Sequence, residues 1–146
     1  MQLLHLGSYL RPATPASYKH KAKSGNAEQL ARQDAALEGV AERVELHSAD
    51  MRDLPFDDGS FDVVVSSLAI HNVSGAGERA RALSEAARVL KKDGKLAIVN
   101  IRYTRAYASE PEACGLKITD RRSLVAQFRY AAGPWAATGL VAAVKP

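Results

Sequence analysis

The sequence predicts an α/β fold organised around an open, mostly parallel sheet. Short β-branched apolar runs at Phe61–Ser67 (FDVVVSS) and at residues 96–101 (LAIVNI) have the composition of strands covered on both faces. Amphipathic helical segments over residues 26–39 and 78–92 alternate with such strands and are expected to pack on them. An order of helix, strand, helix, strand builds βαβ units with right-handed crossovers. Two further extended stretches, near residues 116–128 and 138–145, close the chain with no long helix between them. They predict an antiparallel hairpin at the sheet edge.

The bulk properties suit this class. A chain of 146 residues makes one domain, and 47% hydrophobic with 25% charged residues describes an ordinary soluble globular protein. No apolar run approaches the ~20 residues of a membrane span. The opening MQLLHLGSYLRPA lacks the basic start and cleavage site of a signal peptide. Cys114 is the sole cysteine, so no internal disulfide forms and a reducing, cytoplasmic setting is expected. The net charge of +4 is spread along the chain and argues little for a nucleic-acid partner. No metal-ligating cluster is read from the sequence.

Residues 1–25 read as an irregular arm before a domain over residues 26–146. Leu3, Leu4 and Leu6 can begin a strand, Pro12 and Pro15 interrupt any regular pattern, and residues 18–23 (YKHKAK) form a solvated basic run. Asn26 followed by Gln29 has the form of a capping box. Ala27, Leu30, Ala31, Leu37 and Val40 line one helix face, and Gly39 supplies the stop. Residues 43–49 alternate, with Val44 and Leu46 on one side, and predict a strand. Asp57, Asp58 and Gly59 make a turn. In the next helix Leu83, Ala86, Ala87 and Leu90 share a face, Lys91 and Lys92 complement the dipole in the last turn, and Gly94 ends it. A helix disturbed by Pro111 runs after Thr104 to Cys114 and Gly115.

The stretch GVAERVELHSADMRDLPFDDGSFDVVVSSLAIHN, followed by ALSEAARVLKKDGKLAIVNI, resembles class I S-adenosylmethionine-dependent methyltransferases of the small-molecule type. The resemblance covers residues 24–146. It is carried by Asp50 after a strand, by LPFDDGSFDVVVSS, and by the EAARVLKKDGKL junction of helix and strand. The closing hairpin is similar to the family's sheet, which ends in a reversed strand. The resemblance implies a Rossmann-like fold, S-adenosylmethionine as cofactor, and methyl transfer to a small-molecule acceptor.

In an open α/β sheet, ligands sit beyond the carboxyl ends of the strands. By resemblance, Asp50 accepts a hydrogen bond from the adenine amino group and the Met51 N–H donates to a ring nitrogen. Without the resemblance, Asp50 reads as a loop cap. Ser66, Ser67 and Leu68 end a strand, and the resemblance sets them along the amino-acid portion of the cofactor and the mouth of the substrate pocket. The serines also read as bonding nearby backbone. His71 either faces the acceptor as a base or makes a structural hydrogen bond in its loop. Asn100 and Arg102 end the third strand within reach of an acceptor, and Arg102 reads equally as a surface ion-pair residue. Methyl transfer from a sulfonium rests chiefly on in-line positioning, so the want of a catalytic diad does not count against it.

Two family features are missing from the sequence: the glycine-rich turn after the first strand and the acid that holds the ribose. In LLHLGSYL, Gly7 stands alone and His5 occupies the place of the usual Asp, while residues 1–25 contain no Asp or Glu. The span between Gly7 and Asp50 is shorter than the about 50 residues that a helix, a strand and a second helix with their loops need. The expected fold is therefore an N-terminally truncated form of the family sheet. Val63, Val64 and Val65 then need a cover, from residues 1–25 or from a second copy in a homodimer.

Two readings of activity follow. One is a methyltransferase impaired by loss of the glycine-rich cofactor loop. The other is a catalytically inactive methyltransferase-like domain serving as a binding partner or arising as a truncated gene product. A nicotinamide-dependent reductase requires GxGxxG, which is absent. A nucleic-acid binder built on Arg79, Arg81, Arg88, Lys91, Lys92 and Lys95 is weakened by the interspersed Glu78, Glu85 and Asp93 and by the want of an aromatic stacking pattern.

Overall fold

The computed structural model describes residues 1–6, 24–47, 49–100, 110–124 and 138–146. In chain order the elements are β1 (Leu3–Leu6), α1 (Ser24–Leu37), a 3-10 turn at Ala41–Arg43, β2 (Phe61–Ser67), a second 3-10 turn at Ile70–Asn72, α2 (Ala76–Val89), β3 (Leu90–Asn100), α3 (Glu110–Ala113), β4 (Lys117–Ser123) and β5 (Gly139–Val144). Among the described residues the strands form one sheet of order β1-β2-β3-β5-β4. The first three strands are parallel, and β5 runs antiparallel to both β3 and β4. The two closing strands therefore pair as the sequence predicts, with the later one inserted next to β3.

The strand registers explain the core. Leu6, Ser66, Ile98 and Val141 stand opposite one another across four strands, and strand alternation puts Val64, Leu96, Asn100 and Ala143 on the same face. All of these are buried. Helix α2 lays Ala82, Leu83, Ala86, Ala87 and Val89 into the same core. Its alanines let the helix lie close to the β-branched sheet surface. On the opposite face Val63, Val65, Ala97 and Val99 are only half-buried, and Leu3 is 53% exposed.

Three expectations need correction. Residues 44–47 are not a strand: a 3-10 turn at Ala41–Arg43 precedes them, and Val44 is exposed. Alternation of Val44 and Leu46 supplies the side-chain pattern, but a strand also needs a neighbour to satisfy its backbone groups. Among the described residues nothing pairs with the outer edge of β1, so none is offered.

The helix expected over residues 78–92 spans Ala76–Val89 instead, and Lys91 and Lys92 belong to β3. Leu90 is fully buried and paired with Phe61, which draws the chain into the sheet at once. The cation at the end of α2 is Lys145, whose Nζ donates to the carbonyls of Ala87, Arg88 and Leu90. Gly94 does not stop a helix. A Cβ there would lie 2.7 Å from the Lys91 carbonyl oxygen, so only glycine fits.

The third correction concerns α1: among the described residues its chief neighbour is the 3-10 turn at Ala41–Arg43, and its Leu37 is 85% exposed. It begins at Ser24, two residues ahead of the expected cap at Asn26. Its other end follows the sequence. Gly39 has φ +67°, its N–H donates to the Ala36 carbonyl and that of Val40 to Ala35, which is a Schellman closure.

The arm drawn over residues 1–25 includes a sheet strand at Leu3–Leu6. Residues 7–23, with Gly7, and residues 101–109, with Arg102, lie outside the described residues.

Candidate active site

The parallel strands β1, β2 and β3 end on one side of the sheet, at Leu6, Ser67 and Asn100. Ser66 is fully buried, and among the described residues its Oγ has no hydrogen-bond partner. Asn100, on the same face one strand away, is 1% exposed, and its Nδ2 has none either. Thr138, just ahead of β5, is a third buried residue whose hydroxyl is unpartnered. Buried polar atoms are nearly always paired, so three such atoms along one sheet edge make it a candidate site for a polar ligand. A half-open cavity of about 250 Å³ adjoins this edge, lined by Arg121, Arg122 and Ser123 of β4 and by residues 138–141.

The loop after β2 folds across the strand ends. Leu68 takes a left-handed φ of +53°, which a leucine adopts only when its surroundings fix it. Its N–H donates to the Val99 carbonyl at 2.9 Å, and the Asn72 side chain donates to the Leu68 carbonyl at 3.2 Å. Ile70 and Val73 are buried on either side of the turn. Half-buried His71 is thereby held against β3, with Nδ1 2.5 Å from Asn100 Oδ1.

Asp50 and Met51 lie in a tight turn closed by an N–H to carbonyl bond from Asp53 to Asp50. Met51 is 2% exposed and belongs to the core. The Asp50 carboxylate accepts the Arg52 backbone N–H at 2.9 Å and the guanidinium through Nε and Nη2, the latter at 2.6 Å. Arg52 also reaches Glu78 in the first turn of α2 at 2.6 Å. Asp50 first and Glu78 second raise the pKa of Arg52 above its ordinary value.

Next to this clamp, Glu85 accepts the Leu54 N–H, and Arg88 donates to the carbonyls of Leu54 and Phe56. The Arg88 guanidinium, with help from the Leu54 N–H, holds the Glu85 carboxyl below its ordinary range. Helix α2 thus fixes the turn that carries Asp50 by two separate arginines.

A family model described as a methyltransferase domain matches residues 7–98. The chain belongs to this methyltransferase domain family. It is 46% identical over 57 residues to the ubiquinone/menaquinone biosynthesis C-methyltransferase UbiE of Citrifermentans bemidjiense, a match covering 39% of this chain and 23% of that protein. The chain spans about a quarter to a third of the length of the curated relatives it matches. Among solved structures, the [4+2]-cyclase SpnF superposes with a TM-score of 0.64 at 20% identity, covering 81% of this chain and 62% of that one. A geranyl diphosphate methyltransferase in complex with SAM gives 0.59 at 15% identity, over 86% and 66%. These likenesses establish a class I, Rossmann-like fold, and the presence of a cyclase among them means that fold alone does not name a reaction.

In this methyltransferase domain, the residues singled out in the sequence fall into two groups. Ser66, Ser67, Leu68, His71 and Asn100 converge on the carboxyl edge of β2 and β3. Asp50 and Met51 sit in a separate turn tied to α2. The sequence does not single out Arg52 or Thr138. Arg52 owes its role to Glu78, 26 residues away, and no local pattern signals such a pair.

Proposed function

We propose that this domain binds S-adenosylmethionine at the carboxyl edge of β1, β2 and β3 and transfers its methyl group to a small-molecule acceptor. The observation that carries the reading is the row of buried, unpartnered polar atoms on Ser66, Asn100 and Thr138 along that edge. Ser66, Ser67 and Leu68 would line the amino-acid end of the cofactor, and Asp50 with the Met51 N–H would hold the adenine end. When bound, the cofactor supplies a methyl group on an electrophilic sulfonium. The domain's own part is to orient the acceptor and exclude water.

Binding is expected to be weak. Gly7 stands without the usual glycine partners, residues 1–25 offer no acid for the ribose, and Arg52 already engages the Asp50 carboxylate. Each hydrogen bond lost to a polar ligand group costs about 0.5–1.5 kcal/mol, so losing several moves a micromolar site toward millimolar. The same three features support a second reading, an inactive methyltransferase-like binding partner. Calorimetric titration of the purified chain with S-adenosylmethionine separates the two. Saturable heat supports the first reading, and none at millimolar concentration rejects it.

The acceptor class leans on the small-molecule relatives. A nucleic-acid partner is disfavoured because Arg79 is buried against the Val73 carbonyl, while Arg88 and Lys91 are paired with acids. Among the described residues no helix is long and apolar enough to cross a membrane. The lone Cys114 suits a cytoplasmic setting. The exposed Leu3 on the edge strand β1 supports a homodimer that covers this flank. Sedimentation as a monomer at all concentrations would reject the dimer.

A further inference from the structure

We infer that Asn100 is a positioning residue that fixes the tautomer of His71, so that Nε2 of His71 is presented as the proton acceptor of the site. This rests on the methyltransferase reading above and adds the acceptor's chemical class: a molecule whose methyl-receiving atom must shed a proton, such as a hydroxyl or an acidic carbon. The argument begins with the 2.5 Å contact between His71 Nδ1 and Asn100 Oδ1. An amide oxygen only accepts, so Nδ1 must carry the hydrogen and Nε2 is left with its lone pair. The partner is anchored, because Asn100 is 1% exposed and pinned in β3 opposite Gly139. The imidazole is the outer, half-exposed member of the pair.

Burying an amide behind a half-exposed histidine is costly unless it does something there. The second amide group, Nδ2 of Asn100, has no partner, and neither has Ser66 Oγ on the same face. Both residues are more than nine-tenths buried, at the strand ends over which the His71 loop folds. The loop that carries His71 is fixed independently by the Leu68 N–H to Val99 bond, by Asn72, and by buried Ile70 and Val73. The ring is therefore oriented from both ends, by its own loop and by β3.

The chemistry balances as follows. As the acceptor atom gains the methyl group, its bond to hydrogen breaks and the proton passes to Nε2. The positive charge that arrives on the sulfonium leaves on the imidazolium, and the sulfonium becomes a neutral thioether. An acceptor with no proton to lose would have no use for this arrangement.

The direct test is two-bond ¹H–¹⁵N correlation on ¹⁵N-labelled protein at about pH 9, above the ordinary imidazole range, read in the wild type, Asn100→Leu and Asn100→Asp. The expected result is the Nδ1–H tautomer in the wild type, its retention in Asn100→Asp, which keeps an acceptor, and its loss in Asn100→Leu. An Nε2–H tautomer in the wild type would overturn the inference, since it means the amide faces the other way. So would an unchanged tautomer in Asn100→Leu. Asn100→Asp reports even if the leucine variant does not fold.

Calorimetry with S-adenosylmethionine runs alongside. Binding together with the wrong tautomer refutes the positioning pair alone, whereas no binding refutes the proposed function and the pair's role with it. Methyl transfer from labelled S-adenosylmethionine is then compared between hydroxyaromatics with 1,3-diketones and a tertiary amine with a thioether. Transfer to the proton-bearing set, reduced about a hundredfold or more in His71→Gln, is expected. Transfer only to the proton-free set, or to neither, overturns the acceptor class.

Discussion

Replacing Arg88 by alanine would loosen the segment over residues 54–58 that follows the Asp50 turn, and the size of the effect can be worked from its contacts. The guanidinium donates to the Phe56 carbonyl at 2.8 Å and the Leu54 carbonyl at 3.0 Å, to both oxygens of Glu85, and to Asp58. Asp58 is 80% exposed, so its pair contributes little. The Glu85 pair, with side chains 31% and 17% exposed, contributes about 0.5–1 kcal/mol. Each part-buried carbonyl left without a donor costs about 1 kcal/mol, the low end of the usual range because water can reach it. The expected loss is roughly 2–3 kcal/mol, which for a domain of this size lowers the melting temperature by about 6–10 °C.

Urea denaturation measures that loss, and Arg88→Lys should recover only part of it, since one ammonium cannot serve two carbonyls and a carboxylate in a fixed fork. Amide exchange over residues 54–58 should quicken beyond the global change. A loss below about 1 kcal/mol, or exchange that rises evenly over the molecule, would show that the arginine does not hold the turn.

Three further outcomes are expected. Asp50→Ala should weaken S-adenosylmethionine binding by about 1–3 kcal/mol, and an unchanged calorimetric affinity removes Asp50 from the site. Gly94→Ala should cost about 1–3 kcal/mol of stability through overpacking, since the new Cβ meets the Lys91 carbonyl at 2.7 Å and Leu90 at 3.0 Å. A melting temperature equal to the wild type's refutes that geometry. Glu85 has its folded pKa below its ordinary value of 4.5. Its contribution is therefore complete above the ordinary value and is lost as pH falls through the lowered one. Melting curves between pH 7 and pH 3 should show a steeper acid loss in the wild type than in Glu85→Gln, and parallel curves would count against this.

The sequence made the centre of the fold legible because β-branched runs at Phe61–Ser67 and after Leu96 admit few other readings. It also located the closing pair of strands and the glycine closure of α1, where a local chemical requirement selects the residue. It misplaced what depends on distant partners. Residues 44–47 have a strand's side-chain pattern and no adjacent strand. Lys91 and Lys92 suit a helix end, but the buried Leu90 is claimed by Phe61 and the helix end by Lys145. At the site, the grouping of Ser66 to Leu68 with His71 and Asn100 followed from strand ends. The capture of Asp50 by Arg52 did not, because Arg52 is aligned by Glu78 on a different element.

The closure of α2 by Lys145 bears on how the molecule comes together in time. A helix usually finishes itself with residues a few places downstream. Here the last carbonyls of α2 wait for an ammonium 55–58 residues further along, and the neighbouring Asp93 N–H and Gly94 carbonyl are also taken by the Lys145 backbone. Until β5 is in register beside β3, the carbonyls of Ala87 and Leu90 lack this ammonium and that of Arg88 keeps only the Gly59 N–H, so the last turn of α2 should fray. The junction of α2 and β3 must then be among the last parts to become rigid, since a long loop has to close first. A chain still emerging from the ribosome would hold β1, β2 and most of α2 in a loose association. Substitution of Lys145 should chiefly speed unfolding and leave the folding rate nearly unchanged.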